Sequence, residues 1–551
     1  MGYPTKVQLI KRKDSEQWYI NFPTPLARAL EFDKGEVVEW VIQNQLTLTL
    51  RRTPKPHAAA APKKKTLALL PELLAVWQET EAGFAQQRTA QRAYRLGLSQ
   101  LACPGRHTVT GLLCTAGRQF SDWSADYRLF ARDAWQARRL FDPIVRGVLE
   151  FLSPGAPLVI ALDDTHLEKT GTHIPGVAYR RDPLSPAFHT NLIRAQRFQQ
   201  VSACLPYVQP AGAARAIPIG YQHVPPVPKP KRDAGPAEWQ LYRQRQGREN
   251  LSTAAVQTVQ QLRQDLDRRW GAAQRVLVLG VDGSYTNKTV LKNLPPRTTL
   301  IGRIRKDAKF FAPPRLEEQP AVGSKRHYGI LQPTPEQLRQ DESQPWREVR
   351  AFGAGKMHSF RVKTLAPLLW KKAGAERALR LVVVAPVAYR LRKASKLLYR
   401  QPAYLICSDP ELPLEQLLQY YLWRWDIEVN HRDEKQLIGV GEAQVRSARS
   451  VERQPALAVA SYAALLLAAA RVYGIDGPPQ RLAWPKWQTK SREQRLSTQE
   501  LVRQLKSEVL AYGLERLNPN SEHFVTAAAP RTKSSELRLP MESALLYAST
   551  G

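Results

Sequence analysis

The sequence predicts an α/β multidomain chain. Three observations predict it. The runs APLVIALDD (156–164), QRVLVLGVDG (274–283) and TTLIGRIR (298–305) are compact and apolar, as central strands buried on both faces are. A helical stretch (237–270) separates the first two, and strands alternating with helices build layered α/β domains. With 551 residues the chain is too long for one typical domain, and 43% hydrophobic content is ample for real cores.

In chain order, residues 1–53 read as a small unit of their own. KVQLIKR and QWYINF are short strands, PLARALEF is a Pro-led helix, and VVEWVI and LTLTLRR are two more strands. Residues 54–65 are Pro, Ala and Lys without an apolar period, a linker. From 66 to 153 apolar residues recur at three- and four-residue spacing, which predicts a helical domain. The α/β layer begins at 154 and runs to 309. Residues 310–410 break its rhythm with Pro, basic residues and strand-like pieces, a β-rich insertion. A second part of the α/β layer, 411–475, has one helix over about 414–437 and the Ala/Leu run ALAVASYAALLLAAA (456–470). That run is short for a bilayer span, and a buried core helix is the expectation. The region 476–551 is basic, with an amphipathic helix at TQELVRQLKSEVLAYG. No internal repeat is visible.

Lys and Arg total 81 against 49 Asp and Glu, a net charge of +32 and a pI near 10.1. So basic a chain meets a polyanion, with nucleic acid the default and a membrane surface or ribosome the alternatives. The four cysteines form no CxxC pair, which argues against zinc knuckles and redox motifs and suits a reducing compartment. The N-terminal MGYPTKVQLIKRK lacks the apolar core of a signal peptide.

Two of the apolar strands end in acid, at Asp163–Asp164 and at Asp282. A carboxylate there is held rigidly over the end of a sheet, where a hard divalent cation takes a few carboxylates and keeps water and phosphate for the rest of its shell. Either Asp alone reads equally well as the first residue of a turn. The segment YLWRWDIEVNHRDEK (421–435) adds to them. On one α-helix, at about 100° per residue, Tyr421, Arg424, Glu428 and Lys435 fall within roughly 60° of one another. Asp426 and Asp433 fall on the other side, as ordinary solvated charges. The stripe is a surface for a metal-binding Glu between backbone phosphates; the plain alternative is an i,i+4 ion pair on a wet face.

The spacing Tyr421-x2-Arg424-x3-Glu428-x6-Lys435 resembles the Y-R-E-K signature of the DDE transposases of bacterial insertion sequences. LDDTHLEKTG and GVDGSYTN resemble that family's segments around its first and second Asp. HTVTGLLCTAG and DWSADYRLFARDAW resemble its N-terminal helical region. The resemblance implies a ribonuclease H-like mixed sheet with helices on both faces, a β-rich insertion before the Glu helix, and cut-and-paste transposition of DNA. It implies Asp163, Asp282 and Glu428 as catalytic metal ligands. Asp164 is the alternative first Asp, and Asp-x-Thr over 163–165 favours Asp163. It implies two Mg²⁺ ions, with Mn²⁺ as a substitute, about 4 Å apart. It also implies DNA-backbone contacts by Tyr421, Arg424 and Lys435, action on double-stranded DNA as a homodimer, and a bacterial cytoplasmic setting. Water first frees a 3′-OH at the element's end, and that 3′-OH then attacks a new site. A DNA-binding regulator that no longer cuts and a nuclease that does not join are the alternatives.

Arg303, Arg305 and Lys306, in GRIRKDAKFF, are further candidate phosphate contacts, or a solvated basic edge. Trp346 and Trp370 sit in no alignable motif, and His166 and His173 have no role that metal-dependent phosphoryl transfer requires. Residues 6–42 separately resemble the swapped-hairpin, AbrB-like fold, which implies a dimeric DNA-binding module.

Overall fold

The computed structural model describes residues 5–12, 15–20, 38–44, 47–52, 69–475 apart from a few loop stretches of one to three residues, and 495–512. The chain divides into two units, residues 1–67 and 68–551.

In the first unit β1 (Val7–Arg12) pairs antiparallel with β2 (Ser15–Ile20), and β3 (Val38–Asn44) pairs antiparallel with β4 (Thr47–Arg52). These are the four strands read from the sequence. Trp18, Ile20, Trp40 and Ile42 are all exposed. The expected Pro-led helix and the linker 54–65 lie outside the described residues.

The second unit opens with α1 (Leu69–Gln78), α2 (Gln87–Ala102), α3 (Val109–Thr115), α4 (Ser124–Ala131) and α5 (Asp142–Glu150). A mixed sheet follows: β5 (Leu158–Glu168), β6 (Ala178–Arg181), β7 (Leu192–Pro206), β8 (Ala214–His223), β9 (Leu277–Val281) and β10 (Thr298–Arg303). β9 lies between β5 and β10 and runs parallel to both, while β7 pairs antiparallel with β5 and carries β8 and β6. This agrees with the mixed α/β sheet that the resemblance implied.

β5 and β9 are continuous apolar runs because both sides of the sheet are covered. Leu158, Ile160 and Leu162 join Leu277 and Leu279 in one core; Val159, Ala161 and Val278 join Leu417, Leu418 and Ile427 in another. The helical stretch expected over 237–270 is two helices, α6 (Pro236–Arg248) and α7 (Leu251–Arg268). Glu249 is the C-cap of the first, and Asn250 caps the second by accepting from Thr253 N.

The strands of 310–410 are β11 (Arg347–Gly353), β12 (Lys356–Trp370), β13 (Gly374–Val384) and β16 (Ala403–Cys407), with a short hairpin of β14 (Ala388–Tyr389) and β15 (Leu398–Tyr399), and a helix precedes them. That helix, α9, spans Pro335–Gln340, and α8 spans Lys288–Lys292. The four long strands are not a sheet of their own. β16 pairs antiparallel with β10, β13 with β16 and β12 with β13, so they lengthen the same sheet.

The helix expected over 414–437 is divided into α10 (Leu414–Trp423) and α11 (Asp426–Gln436). At the join, Arg424 N, Trp425 N, Ile427 N and Glu428 N bond to the carbonyls of residues three back: Tyr421, Leu422, Arg424 and Trp425. This is a 3₁₀ turn, which rotates each following side chain by about 20° more than an α-turn. A single 100° wheel therefore does not hold across it. Ile427 ends fully buried and Trp425 59% exposed. The Ala/Leu run lies in α12 (Ala448–Tyr473), which begins before the predicted run and takes in Pro455. It is long and apolar enough to cross a membrane, yet it is enclosed by α1, α2, α4, α5 and β8, as a core helix. The amphipathic helix of the C-terminal region is α13 (Thr498–Tyr512).

Candidate functional site

Parity along β5 sends Asp163 and Asp164 to opposite faces. Asp163 shares the side of Val159 and Ala161, on which α10 and α11 pack. Asp164 shares the side of Ile160 and Leu162. There it is held by Arg197 Nε at 3.2 Å and by the Tyr285 hydroxyl, which donates to Oδ1 at 3.2 Å. Asp282 follows β9 directly, and its Oδ1 accepts from Ser284 N and Oγ at 2.9 and 2.7 Å. The turn reading of VDGSY is thus correct, and the turn also fixes how the carboxylate is presented.

Arg424, in the 3₁₀ turn, joins the helix to the sheet. Its Nη2 donates to Glu428 Oε1 at 3.0 Å and its Nη1 to Asp163 Oδ2 at 3.4 Å. Its guanidinium is also 5.9 Å from the Tyr421 ring centroid. Tyr421 feels the charges of Arg424, Arg303 and Asp282. Tyr421, Arg424, Glu428, Asp163, Asp282 and Arg303 therefore come together over the ends of β5, β9 and β10. Lys435 is exposed and lies further along, near Glu168 and His166.

Burial holds Asp163 up at about 6, against the opposing pull of His431, the Asp164 N–H and Arg424, while Asp282 adds to the rise. Burial raises Asp164 as well, opposed first by Arg197. His166 is held down to about 4 by burial and by Arg197 and Arg180, so it is neutral at ordinary pH, and its Nε2 accepts from Arg197 Nε at 3.4 Å. His173 is exposed.

The reading of Asp426 and Asp433 as solvated surface charges is corrected. Asp433 is 5% exposed and its carboxylate takes Arg432; Asp426 pairs with Arg495 at 2.9 Å. Glu434 is 1% exposed. The reason is that α11 packs on β5, β7, β8 and α12, so its far side faces protein rather than water.

Beside the Asp282 turn is a cleft of about 620 Å³, lined by Arg303, Arg305, Lys309, Lys371 and Lys372 together with Phe311 and Trp370. Lys371 lies over the Phe311 ring at 5.1 Å and Lys372 over Trp370 at 5.1 Å. The mix of cations and aromatic faces suits a nucleic-acid strand. Lys306 is outside this lining and acts on Glu336. Trp346, by contrast, packs under Lys363 at 4.7 Å.

The model of the DDE superfamily endonucleases matches residues 81–372, just over half of the chain. The chain belongs to the DDE superfamily endonucleases. The match takes in Asp163, Asp164 and Asp282 and ends before α10 and α11. No curated protein matches the chain. Membership makes this a nuclease- or transposase-type enzyme with DNA as substrate, of a family that uses divalent metals.

The donors of this DDE endonuclease fit such a cation in kind. Carboxylate oxygens arrive from β5, from the turn after β9 and from α11, and a buried imidazole nitrogen, His431 Nε2, has no hydrogen-bond partner. Among the described residues no three Asp, Glu, His or Cys side chains stand close enough to share one ion as they are. Arg424 occupies the gap between Asp163 and Glu428. Sequence reasoning missed His431, Arg197 and Tyr285. His431 was legible as the residue one helical turn after Glu428; the other two depend on strand pairing and turn geometry.

Proposed function

We propose that this endonuclease is a DNA transposase of the insertion-sequence type, with Asp163, Asp282 and Glu428 as ligands of two Mg²⁺ ions. The observation that carries the reading is the Arg424 bridge from Asp163 to Glu428, with Asp282 near enough to act on Asp163. Charge complementarity of this kind marks where a cation belongs. When bound, the metal ions supply Lewis acidity and a water of lowered pKa. The carboxylates hold and orient them. Tyr421, Arg424 and Lys435 contact the DNA backbone next to the cut, and the cleft cations Arg303 and Arg305 with neighbouring Lys306 extend that contact. A phosphodiester at the element's end is hydrolysed to leave a 3′-OH. That 3′-OH displaces a second phosphodiester in target DNA.

The residues of the first unit support an AbrB-like module. Its two ribbons leave Trp18, Ile20, Trp40 and Ile42 exposed, and an isolated two-stranded ribbon is marginal in water. A second copy that interleaves its ribbons would cover them, giving the homodimer.

The test mixes full-length protein, Mg²⁺ and DNA bearing the element's ends. Cleavage followed by joining supports transposition, and cleavage without joining supports a nuclease. DNA binding without cleavage, unaffected by Asp282→Ala, would overturn both.

A further inference from the structure

We propose that His431 is a nitrogen ligand of the cation held by Asp163 and Glu428, through its free Nε2. The inference rests on the metal site proposed above. Glu428 and His431 are one turn apart on α11 and so share a face. The His431 side chain is 11% exposed, and its Nδ1 is 3.5 Å from Glu434 Oε2, a carboxylate 1% exposed. Nε2 is buried without a hydrogen-bond partner. A buried polar atom left bare is destabilising, so its persistence asks for a partner that binds there.

The arrangement supplies one. An imidazole whose Nδ1–H donates to a carboxylate is locked in the tautomer that offers Nε2 as a lone pair, and its ring orientation is fixed. The His431 side chain is close enough to Asp163 and Asp164 for its charge to act on both carboxyls. The same Asp163 carboxylate also feels Asp282, from the turn after β9, and Arg424, from the 3₁₀ turn. With Arg424 out of the gap between Asp163 and Glu428, Asp163 from β5 and Glu428 and His431 from α11 would be the donors offered to a cation there. Glu428 and His431 ride on one helical turn and would hold the ion together. A nitrogen among the oxygens shifts preference from Mg²⁺ toward Mn²⁺ and later transition metals.

The test uses the full chain loaded with Mn²⁺ and pulsed EPR, which detects nitrogen bound to the ion. The wild type is expected to show ¹⁴N modulation that changes to the ¹⁵N pattern when only histidine is ¹⁵N-labelled. His431→Ala is expected to lose it and to bind Mn²⁺ roughly 10–100-fold more weakly. The labelled wild-type arm needs no substitution, so a variant that misfolds does not spoil the test. Asp163-dependent Mn²⁺ binding without a histidine nitrogen, or a nitrogen signal that survives in folded His431→Ala, would overturn the inference alone. Mn²⁺ binding indifferent to Asp163→Ala would overturn the metal site on which it rests.

Discussion

Arg424 Nη1 lies 3.4 Å from Asp163 Oδ2, joining the turn between α10 and α11 to the end of β5. The same guanidinium reaches Glu428 at 3.0 Å. It holds in place the two carboxylates that the proposed chemistry needs, and it holds the position a cation would take. Arg424→Gln is therefore expected to tighten Mn²⁺ binding to the DNA-free chain, roughly tenfold or more, since a buried positive charge a few ångströms away is removed. The same variant is expected to bind DNA more weakly. Titration calorimetry with Mn²⁺ reads the first effect; weaker or unchanged Mn²⁺ binding would count against the stand-in role.

The two neighbouring aspartates should separate cleanly. Asp163→Asn is expected to lower DNA cleavage by roughly 100-fold or more, a loss at least as large as removal of a group that only supports a ligand. Asp164→Asn keeps one oxygen acceptor, puts an NH2 where the second oxygen was and removes the charge that pairs with Arg197, so one of its two donors loses its acceptor and the change is expected to cost about 1–3 kcal/mol of stability. Chemical denaturation and a nicking assay on both variants check this. Loss of cleavage in Asp164→Asn alone would reverse the assignment.

The cleft beside Asp282 predicts a salt effect. If Arg303, Lys371 and Lys372 each meet a phosphate, replacing one by Ala should reduce the slope of log affinity against log salt by about 0.9 on duplex DNA. The loss should be the same for any sequence. Fluorescence anisotropy across a salt series measures it, and an unchanged slope would remove these residues from the DNA path.

Acid sensitivity should come partly from His223. Its ring stacks on Phe198 at 4.9 Å, its Nε2 has no partner, and burial with Arg180 nearby holds it down to about 4. A histidine depressed in the folded state contributes stability that is full above the unfolded value near 6.5. That contribution, about 3 kcal/mol, is lost as pH falls from about 6.5 to 4. His223→Phe keeps the ring stack and should flatten this limb of the stability–pH curve. Thermal melts of both proteins between pH 4 and 7 test it; parallel curves would refute it.

The sequence made some parts of this structure plain and hid others, for physical reasons. β5, β9 and β10 were legible because a strand covered on both faces has to be apolar throughout. The convergence of Asp163, Asp282 and Glu428 was legible as strand-end acids plus one helix position. The break at Arg424 was not, since 3₁₀ and α turns place apolar residues at overlapping spacings. Nor was the burial of Asp433 and Glu434: whether a charge is solvated depends on what packs over it, here β7, β8 and α12. That β16 would join β10 and extend the sheet rests on a pairing between strands about a hundred residues apart, which no local pattern encodes.

The central claim is that Asp163, Asp282 and Glu428 together hold the divalent cations that cut DNA. The most direct measurement is Mg²⁺-dependent nicking of DNA by the full-length chain and by Asp163→Ala, Asp282→Ala and Glu428→Ala, each first shown to be folded. The account predicts that the wild type cuts, that chelation stops it, and that each substitution abolishes cutting while DNA binding remains. Wild-type rates of cutting in any one of the three folded variants would contradict it.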